Sequence, residues 1–224
     1  MFITEREFMN PSQLEELRGF LAETDLRDGA ITAGSEITEV KNNRELTPDE
    51  RTERARELVL EACNNVTYLP HALLPRTVGF PILSVYTPGM YYGRHTDSAF
   101  WKDGQQTHRS DISCTVFLDD PTTYDGGELV IDTEYGQSTF KLPAGGAVFY
   151  PTLFVHQVKE VTRGYRRACV FWIESLIRDP ARRSILFDLT KIGHWAAQMA
   201  PADAPPRQDL TRVHENLYRM WLEN

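Results

Sequence analysis

His95 and Asp97 stand two residues apart in Tyr92-Gly93-Arg94-His95-Thr96-Asp97-Ser98, and His156 opens a later apolar run. On an extended segment, side chains at i and i+2 share a face. An imidazole and a carboxylate then project side by side, as neighbouring ligands of one metal would. A single His-x-Asp is a weak signal, and His156 judged by itself reads as a histidine capping a strand. Taken together, two imidazoles and one carboxylate leave three coordination positions open, a donor set that favours iron(II) oxygenase chemistry. A structural zinc site would be closed and usually rich in cysteine. Cys63, Cys114 and Cys169 are widely spaced and form no CxxC pair.

A third element is Arg163-Gly164-Tyr165-Arg166-Arg167, which runs into Ala168-Cys169-Val170-Phe171-Trp172-Ile173. Arginine entering an apolar strand is costly unless it meets an anion. Its planar fork suits a bidentate grip on a carboxylate. Arg166 and Arg167 could both be exposed turn charges, but strand alternation puts them on opposite faces, so one of the two must point inward.

Short apolar runs punctuated by Gly, Pro and Asp must position these residues. The expected strands are 78–86, 91–95, 112–118, 128–131, 137–142, 147–150, 156–161 and 167–176, with a hairpin corner at Asp125-Gly126-Gly127. Their regular spacing reads as a sandwich or barrel; an eight-strand antiparallel double sheet, a jelly roll, is the natural architecture. Before it, Asn10-Pro11 starts a helix carrying Leu14, Leu17, Phe20 and Leu21. Residues 31–45 hold two short strands. Thr47 with Glu50 forms a capping box for a helix to about Cys63. After it, Ile185, Leu186, Leu189, Ile192 and Trp195 mark an amphipathic helix, and Leu210, Val213, Leu217, Tyr218, Trp221 and Leu222 a second. The expected division is 1–77, N-terminal helices and short strands; 78–177, the β domain; and 178–224, a C-terminal helical extension.

The chain has 224 residues, 41% hydrophobic and 11% aromatic, enough for a buried core. A net charge of −8 disfavours a nucleic-acid or anionic-membrane partner; the one basic cluster, Arg178-Asp179-Pro180-Ala181-Arg182-Arg183, is short and interrupted. No run approaches the roughly 18 apolar residues of a membrane helix, and Met1–Glu7 lacks the pattern of a signal peptide. Cys114 and Cys169 read as buried strand filler, and reduced thiols fit a cytoplasmic setting.

These residues together resemble the iron/2-oxoglutarate dioxygenases, and more closely the bacterial PKHD-type hydroxylases, relatives of prolyl and lysyl hydroxylases. The resemblance is carried by Val40-Lys41-Asn42-Asn43, Tyr91–Asp97, Phe117–Pro121, Tyr124–Val130, Lys141–Gly145, Val161–Gly164 and Trp172–Asp179, and covers nearly the whole chain. It implies a double-stranded β-helix with iron(II) on His95, Asp97 and His156, and Arg166 on the distal carboxylate of 2-oxoglutarate. It also implies oxidative decarboxylation to succinate and carbon dioxide, L-ascorbate as reductant, and a small-molecule or peptide/protein substrate. Tyr86 stands where related hydroxylases place a tyrosine near the cosubstrate. A second tyrosine, frequent in prolyl hydroxylases on the 112–118 strand, is missing; Phe117 falls near its position without a hydroxyl.

Two rival readings stand beside this one. A cupin-like metal protein without cosubstrate would need no inward Arg166, and a non-enzymatic jelly-roll module would hold no metal. His108 reads as an exposed or substrate-mouth residue and not a ligand; His71, His194 and His214 read as structural or surface residues. Phe100 and Trp101 would line the entrance or pack in the core. Tyr218, Met220 and Trp221 make a homo-oligomer through the C-terminal helices an expectation.

Overall fold

The computed structural model describes residues 2–21, 25–32 and 40–222. In chain order the strands are β1 (Ile3–Glu5), β2 (Leu26–Asp28), β3 (Lys41–Asn42), β4 (Arg44–Leu46), β5 (Pro75–Val78), β6 (Ile82–Tyr86), β7 (Tyr91–His95), β8 (Phe100–Asp103) and β9 (Gln106–Arg109). They continue as β10 (Ile112–Phe117), β11 (Asp125–Gly126), β12 (Leu129–Thr133), β13 (Gly136–Phe140), β14 (Ala147–Pro151), β15 (His156–Val158), β16 (Val161–Arg163) and β17 (Arg166–Ser175). The helices are α1 (Pro11–Gly19), α2 (Glu50–Asn65), α3 (Leu69–Leu73), α4 (Pro180–Met199) and α5 (Pro205–Trp221).

Two antiparallel sheets form the jelly roll. The larger runs β1-β14-β10-β17-β6-β4-β2, with β5 also on β17; the smaller runs β13-β12-β15-β7-β3. Strands from the first 77 residues extend both sheets. β4 pairs with β6 and β3 with β7, so each sheet is wider than the central strands alone would make it.

The larger sheet is buried on both faces, and the two faces have different chemistry. Cys114, Val116, Phe149, Cys169, Phe171, Ile173, Leu83 and Val85 face α1–α3, packing against Leu14, Leu17, Leu58, Val59, Ala62 and Leu69. The alternate residues face the smaller sheet, where Phe117, Val148 and Tyr150 meet Leu129 and Ile131. Period-2 alternation thus splits an apparently continuous buried run such as Ile112–Phe117 into an apolar outer set and an inner set containing Ser113 and Thr115.

Several boundaries differ from the sequence reading. The 78–86 strand is two, β5 and β6, broken at Gly79-Phe80-Pro81, where proline has no N–H to give the ladder. The 156–161 strand also divides, β15 joining the small sheet and β16 pairing with β11. Asp125-Gly126-Gly127 is a corner and not a hairpin. Gly126 and Gly127 have φ of 73° and 68°, and a Cβ on Gly126 would stand 1.9 Å from the Glu160 carbonyl oxygen. The N-cap of α2 is Asp49, with Thr52 completing the box, instead of Thr47 with Glu50; the carboxylate is the better partner for orphan N–H groups at a helix N-terminus. Asn10 caps α1 as expected, with Gln13 reciprocating.

Candidate metal centre and cosubstrate pocket

The jelly-roll register brings distant residues face to face. His156 pairs directly with His95 across β15 and β7. Arg166 pairs directly with Tyr86 across β17 and β6. Asp97 follows the end of β7, two residues beyond His95. Donor atoms of His95, Asp97 and His156 all lie within 4.8 Å of one another. The Asp97 Oδ1 is 3.8 Å from His95 Nε2 and 3.7 Å from His156 Nε2, a small contraction away from sharing one ion.

The surrounding atoms prepare these donors. His95 Nδ1 is 2.8 Å from the Gly93 carbonyl oxygen and His156 Nδ1 is 3.1 Å from that of Phe154, so each Nδ1 donates its hydrogen and each Nε2 keeps its lone pair inward. The Ser113 hydroxyl donates to Asp97 Oδ2 at 2.7 Å, leaving Oδ1 toward the histidines. Burial, reinforced by neighbouring His156, pulls the His95 pKa down to about 4, so its ring is neutral near pH 7, the form that binds metal. Tyr92 stacks on His95 with centroids 3.5 Å apart, and Tyr150 meets His156 edge-on at 5.3 Å.

Beside the triad is a cavity of about 140 Å³, lined among others by Tyr86, Thr115, Leu129, Val158 and Arg166. Arg166 is only 1% exposed, yet its Nε and Nη2 have no hydrogen-bond partner among the described residues. Its guanidinium lies 4.9 Å from the Tyr86 ring centroid and 5.6 Å from that of Phe117. Two rings cannot satisfy a buried guanidinium fork; a carboxylate would. Arg167 points the other way and grips Asp119, its Nη2 2.6 Å from Oδ1. Alternation therefore sends one arginine inward, as expected, and Phe117 contributes an aromatic face there instead of a hydroxyl. Burial pushes the Tyr86 hydroxyl up to about 12, so it stays protonated as a donor.

The donor set and the orphaned fork fit iron(II) and a dicarboxylate respectively. The chain's relatives agree. A family model described as the 2OG-Fe(II) oxygenase superfamily matches residues 81–174. A PKHD-type hydroxylase of Xanthomonas axonopodis pv. citri (strain 306) is 41% identical over 222 residues, covering 97% of each chain. The chain belongs to the PKHD-type hydroxylases. Another member, from Variovorax paradoxus (strain S110), is 40% identical over the full length of both chains. As a PKHD-type hydroxylase the protein is an iron(II)- and 2-oxoglutarate-dependent dioxygenase. Solved structures share the fold: a Pseudomonas putida prolyl-4-hydroxylase covers 78% of this chain and 92% of its own with a TM-score of 0.53 and 19% identity. A Trichoplax adhaerens prolyl hydroxylase in complex with a hypoxia inducible factor peptide fragment covers 78% and 83% with a TM-score of 0.54 and 12% identity.

Sequence reasoning missed part of this site. Ser113 and Thr115 sit at i and i+2 in an otherwise apolar strand, which was the available signal. Lys41 and Glu45 also line the cavity; the ammonium is 2.6 Å from the carboxylate and 2.7 Å from the Thr32 hydroxyl. Nothing in the polar 31–45 stretch marked them as buried. Residues 33–39 of that stretch lie outside the described residues. His108 is a correction: it lies in β9, half-buried, with Nδ1 2.9 Å from Glu174 Oε2 and its ring stacked on Trp101. The hairpin β8–β9 takes His108 out of the solvated loop expected for it. Neither Phe100 nor Trp101 lines the metal cavity. His71, His194 and His214 lie on α3, α4 and α5, away from the triad.

Proposed function

We propose that this PKHD-type hydroxylase binds iron(II) through His95, Asp97 and His156 and 2-oxoglutarate through Arg166 and Tyr86. The observation carrying the assignment is the buried Arg166 fork, whose Nε and Nη2 have no partner among the described residues, opening on the cavity that the three metal donors also line. When bound, iron(II) and 2-oxoglutarate supply oxidative decarboxylation of the cosubstrate to succinate and carbon dioxide, coupled to hydroxylation of the substrate. The chain's own residues set the geometry. Ser113 orients the Asp97 carboxylate. The Gly93 and Phe154 carbonyls fix both imidazoles. Arg166 neutralises the distal carboxylate of the dicarboxylate, Tyr86 stays protonated beside it, and the apolar walls of Leu129 and Val158 exclude water.

The substrate in this reading is a small molecule or a peptide or protein side chain, with L-ascorbate as reductant and a cytoplasmic setting. The buried, unpaired Cys63, Cys114 and Cys169 support a reducing compartment. Nucleic acid and membrane are not partners in this reading; net charge −8 supports it, and no helix among the described residues is long and apolar enough to cross a membrane. Self-association would use the C-terminal helices, where Ile185, Ile192, Trp195, Met199 and Met220 are exposed; light scattering at micromolar concentration tests it. The site assignment is tested by succinate formation from 2-oxoglutarate. His95→Ala and Asp97→Ala are expected to lose it to background, and full activity in either purified variant removes these residues from the metal.

A further inference from the structure

One buried ion pair beside the metal donors has no part in binding iron or cosubstrate. Lys41 and Glu45 line the same cavity as His95, and their side chains are only 6% and 1% exposed. Such a pair adds little net stability, because desolvation of both charges offsets their attraction. What the pair touches is therefore informative. The ammonium is held by Glu45 at 2.6 Å and by the Thr32 hydroxyl at 2.7 Å. Its Nζ also lies 4.9 Å from the Tyr92 ring centroid, inside the roughly 6 Å reach of a cation–π contact.

Tyr92 in turn covers His95. The two rings are stacked, with centroids 3.5 Å apart and planes 11° apart. That is van der Waals contact, so nothing fits between the rings and the ammonium takes the other face of the phenol. Ammonium, phenol and imidazole thus form a three-layer column that ends on a metal ligand. The backbone sets this column. β3 pairs with β7 with Lys41 directly opposite Tyr92, and directly opposed residues share a face. Gly93 lets β3 come this close, since a Cβ there would stand 2.9 Å from the Val40 Cβ. The Nδ1 contact to the Gly93 carbonyl fixes one edge of the His95 imidazole. A single hydrogen bond leaves the ring free to tilt about it, and the stacked phenol removes that freedom.

We propose that Lys41 is a positioning residue: its ammonium, anchored by Glu45 and Thr32, holds Tyr92 against His95 and so fixes the plane of the imidazole for the metal. The proposal rests on His95 being an iron ligand, as in the reading above, and adds the device that aims it. Groups that orient metal-bound imidazoles from outside govern metal affinity by about 10- to 100-fold. The direction of the effect also separates positioning from charge. Removing a cation near a metal site would tighten metal binding by Coulomb's law, whereas loss of the column loosens it.

The test is the Mn(II) affinity of the full-length protein by calorimetry, with urea unfolding of the metal-free proteins in parallel. Lys41→Met/Glu45→Leu removes the ammonium without changing the net charge, and is expected to weaken Mn(II) binding about tenfold. If it fails to fold in the urea series, Lys41→Gln/Glu45→Gln replaces it with the same expectation. Tyr92→Leu removes the stacked ring and should also cost about tenfold, while Tyr92→Phe keeps the ring and should stay within about twofold of wild type. The combination decides whether Lys41 acts through Tyr92. In the Tyr92→Leu background, Lys41→Met/Glu45→Leu should cost no more than about a further twofold, because the column is already broken. Wild-type affinity in the folded charge-neutral double variant, wild-type affinity in Tyr92→Leu, a tenfold loss in Tyr92→Phe, or full multiplication of the two losses in the combined variant each overturns the proposal. Failure of the wild-type protein to bind Mn(II) would instead strike the underlying metal-site reading.

Discussion

At the scale of single residues, Arg166 carries the most unusual energetics. A guanidinium 1% exposed, with Nε and Nη2 atoms orphaned among the described residues, costs stability until an anion arrives. This predicts opposite effects on two measurements of one variant. Arg166→Met should lose about 2–4 kcal/mol of 2-oxoglutarate binding, on the order of 30- to 1,000-fold in Kd. The same variant, without ligand, should melt at the wild-type temperature or above it, because an unpaired buried charge has been removed. Calorimetry and thermal unfolding check the pair; a variant that keeps its 2-oxoglutarate affinity, or one that melts well below wild type, contradicts the role. Gly127 supports the same residue, since a Cβ there would stand 2.8 Å from Arg166 Cδ at a φ of 68°.

Among the elements, the strands from the first 77 residues matter as much as the central barrel. β3 and β4 carry Lys41 and Glu45, a buried ion pair whose side chains are 6% and 1% exposed. Breaking a buried pair from one side leaves an uncompensated charge, so Lys41→Met should cost about 3–5 kcal/mol in urea unfolding, and Lys41→Met with Glu45→Leu should recover most of it. A single variant within about 1 kcal/mol of wild type would show the pair to be well solvated. The elements also show what the sequence could reveal. The central strands and α1, α4 and α5 follow from periodicity, Pro and Asn, and β7 matches its expected bounds. His95, Asp97, His156 and the inward arginine follow from donor chemistry and alternation. Lys41, Glu45 and Ser113 were not legible as site residues, because burial of a polar side chain depends on which strand covers it, and that pairing is long-range. The β8–β9 hairpin was missed because Lys102 to Arg109 is polar and carries no apolar alternation.

For the molecule as a whole, the division into 1–77, 78–177 and 178–224 is a proposal about how stability and chemistry are distributed. The last segment packs on the rest through Leu74, Ile177 and Leu186, with Leu217, Tyr218 and Trp221 around them. A chain ending at Ile177 should therefore unfold at a lower temperature yet keep its Mn(II) affinity, since none of the five assigned site residues lies beyond Arg166. Loss of Mn(II) binding with the β-sheet circular dichroism intact would show the helices to be integral to the centre. The most direct test of the account is anaerobic titration of the Fe(II) protein with 2-oxoglutarate, followed by visible absorption. Wild type should develop the charge-transfer band of iron-chelated 2-oxoglutarate, His95→Ala should not, and Arg166→Met should need far more cosubstrate to reach it. A band of equal strength and equal midpoint in all three proteins would contradict the assignment.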